Sequence, residues 1–145
     1  MLIRIVLLLL GLVASVQAQE LQPVPRLQAR VTDNAGLLPE ARRTALEARL
    51  AAFERQKGTQ VAVLTLASTA PEPIEAYSIR VVDAWRLGRS GVDDGVLFVI
   101  ARDDRRMRIE VGRGLEGALP DARAKQIIAD AVAPRFKAGD YPGGI

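Results

Sequence analysis

The chain has no cysteine and no histidine in 145 residues, and aromatic side chains make up only 4% of it. Without thiols there is no disulfide framework, no thiolate nucleophile and no cysteine-built zinc site. Without imidazole, Ser-His-Asp triads, histidine general bases and phosphohistidine chemistry are excluded. Catalysis would have to rest on carboxylates, Lys, Arg, Tyr or hydroxyls. A metal would be held by oxygen, which selects Ca2+, Mg2+ or Mn2+. No charge of one sign dominates: 20 Lys and Arg are interspersed with 17 Asp and Glu, for a formal charge of +3. Nucleic-acid binding needs a clustered basic stripe with stacking aromatics, so no nucleic-acid partner is expected. Apolar content is ample at 49%, enough for one domain of this length to bury a core.

Long hydrophobic runs are lacking except at the N-terminus. Met1 to Arg4 forms a short positive segment, Ile5 to Val13 is apolar, and Val16-Gln17-Ala18 meets the small-x-small cleavage rule. This predicts a signal peptide over residues 1–18, cleaved before Gln19, and a periplasmic or otherwise extracytoplasmic location. The apolar run is too short to favour a spanning helix. Residues 19–30 carry Pro23 and Pro25 without periodicity and read as a linker or extended arm, with the folded domain following over 31–145.

Within that domain, Asp33-Asn34 suits a turn and Leu37-Leu38 a core anchor. A helix is expected over residues 39–57, with Leu46, Leu50 and Phe53 on one face and Ala45 alongside. Glu47 and Glu54 fall on the solvated side, and Gly58 sits where a C-terminal cap belongs. Residues 59–67 form a continuous apolar strand. A second helix over 74–87 aligns Ile74, Tyr77, Ser78, Val81 and Trp85, with Trp85 read as a core residue. GVLFVIA at 95–101 is a second buried strand. After a polar turn at 102–105, Met107, Ile109 and Val111 alternate with charged residues, completing a β-hairpin. Asp121 can cap a third helix over 122–133, which Pro134 ends or kinks; residues 139–145 read as irregular. The sum is an α/β fold, a layered sandwich with a mixed sheet.

Candidate chemistry lies at the two ends of the segment 90–120. Asp93 and Asp94 stand just before a buried strand, where loop carboxylates can reach a hard cation. Asp33, Glu110, Glu116 and Asp121 are further acids in loops or at strand ends, so several are expected to converge. The same residue type serves turns and caps, and no EF-hand pattern is present, so spacing leaves both readings open. Arg86 and Arg89 flank a glycine loop and could hold a phosphate. Gly112-Arg113-Gly114-Leu115-Glu116-Gly117 matches G-x-G-x-x-G, but it follows the second arm of a hairpin and no second strand with a ribose-binding acid comes after it. No organic cofactor is therefore expected; the glycines permit positive φ and close backbone approach. The charge run at 102–106 reads as a solvated turn.

The blocks VTDNAGLL, RLGRSGVDDGVLFVIARDDRRMRIEVGRGLEGALPD and PRFKAGDYPGGI resemble the TPM domain family over about residues 28–145. That family includes exported bacterial membrane proteins and plant thylakoid-lumen proteins of photosystem II repair. The resemblance implies a three-layer α/β/α sandwich outside the cytoplasm, expected to continue into a C-terminal transmembrane segment that anchors it. It also implies a Ca2+ site, with Mg2+ as the alternative, carried onto Asp33, Asp93, Asp94, Glu110 and Glu116. Where many members have Asp-Asn-Gly, this chain has Asp93-Asp94-Gly95. Two activities are compatible with it: a module assisting assembly or maintenance of membrane protein complexes, and a weak metal-dependent acid phosphatase with Arg89 or Arg113 on the substrate. A pure scaffold, whose acids only cap and turn, is the third.

Overall fold

The computed structural model describes residues 17–145. The expected signal peptide thus lies outside the described residues except for Gln17 and Ala18. Four strands form one sheet in the order β1-β2-β3-β4: β1 (Val31–Asp33), β2 (Gln60–Leu66), β3 (Gly95–Ala101) and β4 (Arg106–Val111). The first three are parallel and β4 is antiparallel to β3. Strand β1 was not expected. Three residues are too few to show a period, and its partner is more than two dozen residues away, with Val31 opposite Val63 and Asp33 opposite Thr65.

Both central strands are buried on both faces, as their unbroken apolar sequence requires. Alternate residues feed two separate cores. Ala62, Leu64, Leu97 and Val99 meet helix α2 (Ile74–Trp85), which contributes Ile74, Tyr77, Val81 and Trp85. Val63, Phe98 and Ile100 meet the opposite layer, made of Leu46 and Leu50 of helix α1 (Glu40–Lys57) and the C-terminal helical segment. The result is the expected three-layer sandwich. Both β–α–β crossovers step in the same direction along the sheet, yet their helices lie on opposite faces. They are therefore of opposite hand, and one departs from the right-handed rule.

Helix α1 ends as expected at Gly58, whose φ of 77° lets its N–H reach the Glu54 carbonyl at 2.7 Å. Its expected face is only half correct. Leu46 and Leu50 pack, but Phe53 is 40% exposed and Ala45 is also exposed. Glu47 is not on a free face: it accepts from the Val31 and Arg30 amides at 2.8 and 3.0 Å, and Arg30 also pairs with Glu54 at 2.8 Å. The stretch before β1 is held down likewise. Tyr77 Oη donates to the Pro23 carbonyl, Trp85 Nε1 to that of Pro25 and Arg80 to that of Gln22, at 3.1, 2.7 and 2.8 Å.

The C-terminal segment departs from expectation at Pro134. Helix α3 (Asp121–Ile127) passes through a π turn at Ile128–Val132 into α4 (Ala133–Lys137) without stopping. Proline lacks an N–H and its ring collides with the carbonyl four residues back. The wider turn absorbs that mismatch, with the Ala133 amide bonding five residues back to Ile128. Asp121 makes no cap; it is the first helical residue and pairs with Lys125 at 3.1 Å. Residues expected to be irregular close into a short helix α5 (Tyr141–Gly144), capped by Asp140, which accepts from the Gly143 amide at 2.9 Å. No helix among the described residues is long and apolar enough to cross a membrane.

Candidate functional site

The loop ending at Asp94 and the glycine loop after β4 meet at one end of the sheet. Gly112 donates to the Gly95 carbonyl at 2.8 Å and Gly114 to that of Asp93 at 3.0 Å. The contact is backbone on backbone. A Cβ on Gly112 would stand 2.2 Å from the Asp93 carbonyl oxygen, and one on Gly114 would stand 1.8 Å from that of Val92. Gly112 has an ordinary extended backbone, φ −63° and ψ 152°, so space rather than torsion demands glycine there. The G-x-G pattern is thus a packing device, and Asp93, at φ 52°, is the strained residue it presses on.

Asp94 is 2% exposed. Its Oδ1 accepts from the Arg89 amide at 2.8 Å, and its Oδ2 from Arg89 Nε at 2.8 Å and the guanidinium terminus at 2.6 Å. The Arg89 side chain, and then its amide, hold the Asp94 carboxyl below the ordinary carboxylate value. Arg89 in turn lies against Gly58, where a Cβ would come within 2.6 Å of its Cζ. This pair locks the loop 88–94 onto the start of β3. It engages one edge of the Arg89 guanidinium and leaves the side chain 53% exposed.

Asp33 lies at the opposite end of the sheet. Its register partner Thr65 is opposite Ile100, six residues along from Asp94, or roughly 20 Å. Oδ1 accepts from Leu37 N–H at 2.9 Å and Thr65 Oγ1 at 2.5 Å, and Oδ2 from Leu38 N–H at 2.8 Å. Burial pushes this carboxyl up, but the Thr65 hydroxyl, the two amides and Arg43 together bring it below its ordinary value. Asp33 therefore closes the turn into α1, and the Thr65 hydroxyl it orients accepts from Ala35 N–H at 3.0 Å.

Glu110, on β4, pairs with Arg108 at 2.7 Å. Asp93, Glu116 and Arg113 are exposed on the two facing loops. The structure does not bring the five expected acids together: Asp93, Asp94, Glu110 and Glu116 belong to one end of the sheet, and Asp33 to the other. Among the described residues no three acids converge in the manner of a metal site. A dedicated Ca2+ cage draws on six to eight oxygens, and this donor set does not supply it preformed. Sequence reasoning missed the pairing of Arg89 with Asp94, although the two types bracket a short glycine loop; the arm-holding role of Glu47 and Glu54 had no such signal.

A short mixed sheet between two helical layers, with its loops tied by backbone contacts at one end, defines a small α/β sandwich module. A family model for the TPM domain matches residues 31–145, and the chain belongs to the TPM domain family. Among solved structures, the N-terminal domain of a P. gingivalis protein is 38% identical, covers 80% of this chain and 74% of its own, and superposes with a TM-score of 0.74. The N-terminal domain of the Corynebacterium glutamicum protein cg2496 is 18% identical over 88% of this chain and 80% of its own, with a TM-score of 0.63. BA42 from the psychrophilic bacterium Bizionia argentinensis is 19% identical over 74% and 72%, with a TM-score of 0.62. The latter two share the fold. The curated proteins contain no match.

Proposed function

We propose that this TPM domain is an exported, non-catalytic docking module that assists assembly or maintenance of membrane protein complexes. One observation carries the reading: three of the five acids a metal-dependent hydrolase would use are already engaged inside the fold. Asp33 is saturated by two amides and a hydroxyl, Asp94 by Arg89, and Glu110 by Arg108. Export is supported by the pattern of residues 1–18. The acids left open to a Ca2+ contact are Asp93 and Glu116, exposed on the two facing loops, and two carboxylates supplemented by water would bind only in the weak, millimolar range of extracellular modules. The rival phosphatase needs a preassembled metal with an arginine beside it; Arg89 is committed to Asp94, which leaves that role to the exposed Arg113.

The test uses a strain lacking the chain. Membrane complexes resolved on native gels should diminish and be restored by the wild-type chain. The restoring chain should release no more phosphate from p-nitrophenyl phosphate, with Ca2+ or Mg2+ supplied, than Asp93→Asn/Glu116→Gln. Metal-dependent phosphate release that vanishes in that double variant would reverse the assignment in favour of the enzyme.

A further inference from the structure

The far end of the β3–β4 hairpin holds a cleft of about 560 Å³, well separated from the loops above. Two cations on its wall, Arg105 and Lys137, and Arg106, which lies between this cleft and a second pocket over Ile74 on the other face, have no carboxylate within ion-pair distance among the described residues, whose pairs lie elsewhere. Arg102 is already tied to Asp103 and to the Ala35 carbonyl at 2.8 and 2.7 Å. The floor is apolar: Met107 lies beside Phe136 and Tyr141, whose rings pack edge to face with centroids 4.9 Å apart. Arg105 also holds a left-handed backbone, φ 50°, at a turn position where Gly or Asn is the unstrained choice. The carboxylates nearest in sequence are engaged: Asp104 accepts from Ser68 and Thr69, and Asp140 pairs with Arg135.

Beside the cleft runs the outer edge of the sheet. Strand β4 has a neighbour on one side only. Because Gly112 bonds to Gly95, the antiparallel alternation puts Glu110, Arg108 and Arg106 in the bonded pairs. The backbone groups of Met107, Ile109 and Val111 then point to the open edge. An edge of this kind accepts a further strand, and pockets for alternate side chains supply specificity.

We propose that β4 and this cleft together bind an extended acidic peptide segment of a partner protein. The segment adds as a fifth strand, sets an apolar side chain over Phe136 and Tyr141, and places its carboxylates on Arg105, Arg106 and Lys137. Arginine forks bind carboxylates bidentately, and Arg, Tyr and Met are the residue types enriched at protein interfaces. The backbone edge is what favours a peptide over a lipid surface or a small anion. The proposal supplies a partner chemistry for the docking reading and rests on it for its purpose, but peptide binding is measured independently of the Asp93 loop and of any phosphatase assay.

The probe is a capped hexapeptide alternating Glu with Phe, Leu and Val, titrated into the 15N-labelled chain. Saturable shifts are expected at residues 102–111 and 133–141, with slowed exchange of the Met107, Ile109 and Val111 amides. Arg105→Gln/Arg106→Gln should weaken binding about tenfold with no loss of melting temperature. Arg105→Gly should relax the turn and still weaken binding, a split that a purely structural arginine would not give. N-methylation of alternate peptide amides should abolish binding. Equal affinity of the double variant or of the methylated peptide, shifts confined to the Gly88–Asp94 loop, or no saturable shift at millimolar peptide overturns the proposal. Displacement of the peptide by phosphatidylglycerol vesicles, with the vesicles giving the same shifts, would assign the cleft to a lipid surface instead.

Discussion

Replacing Gly112 with alanine should cost far more than replacing Gly117, five residues on in the same loop. At Gly112 the new Cβ would lie 2.2 Å from the Asp93 carbonyl oxygen and 3.2 Å from the Gly95 amide nitrogen; at Gly117 nothing lies within 4 Å. The obstacle at Gly112 is backbone, so no flexible side chain can swing away. Relief requires the loops to part by about 1 Å, which stretches the bonds from Gly112 to Gly95 and from Gly114 to Asp93, now 2.8 and 3.0 Å. Overpacking alone costs about 1–3 kcal/mol, and a weakened backbone bond adds about 1 kcal/mol. A loss of about 2–4 kcal/mol is expected, with Gly117→Ala within about 0.5 kcal/mol of wild type. Urea unfolding reads this directly. With m about 1.5 kcal/mol/M, the Gly112→Ala midpoint should fall by roughly 1.3–2.7 M at unchanged m. Amide shifts should also move at residues 92–95, across the junction from the mutation. Equal midpoints for the two variants, or shifts confined to 110–114, would refute the backbone-contact account.

Asp33→Asn should lower stability by about 1–2 kcal/mol at neutral pH, because the new amide group faces the Leu38 N–H it must replace an acceptor for. Since the folded Asp33 titrates below its ordinary value, its contribution is fully present above the unfolded carboxylate pKa and lost as pH falls through the folded one. The acid limb of melting temperature against pH should therefore be shallower in the variant; parallel limbs would remove Asp33 from the account. Trp85→Phe keeps most of the buried ring but deletes the donor to the Pro25 carbonyl, at a cost of about 1 kcal/mol. Hydrogen exchange should quicken over residues 22–30 before it does in α2, and uniform acceleration would mean that Trp85 supports only the core.

The elements legible in the sequence were those with a local period. Tyr77, Ser78, Val81 and Trp85 announce their helix face through 3–4 spacing, and GVLFVIA can only be a strand covered twice over. Features set by distant partners were not legible. Strand β1 is three residues whose pairing exists only once Val63 arrives, and the arm is held through its own carbonyls, which carry no side-chain signature. Of the two outcomes open at Pro134, an end or a kink, the helix does not end, because the register widens before the proline is reached. The acids were ambiguous for a different reason. A carboxylate neutralised by Arg89 and one awaiting a cation are the same letter, and only the distance to a guanidinium separates them.

The arm across α2 also has a mechanical meaning. Its anchors come in sequence order: Gln22 on the Ala70 carbonyl, Arg80 on Gln22, Tyr77 on Pro23, then Trp85 on Pro25. Each bond is isolated, so tension applied at the N-terminal side loads them singly, as in opening a zipper, rather than together, as in shearing paired strands. The C-terminal helices pack on the other face of the sheet, in a core the arm does not touch. A pull between the two ends should therefore peel residues 22–26 at low force while β1 to β4 stay paired, letting out a short length of slack before the domain itself bears the load.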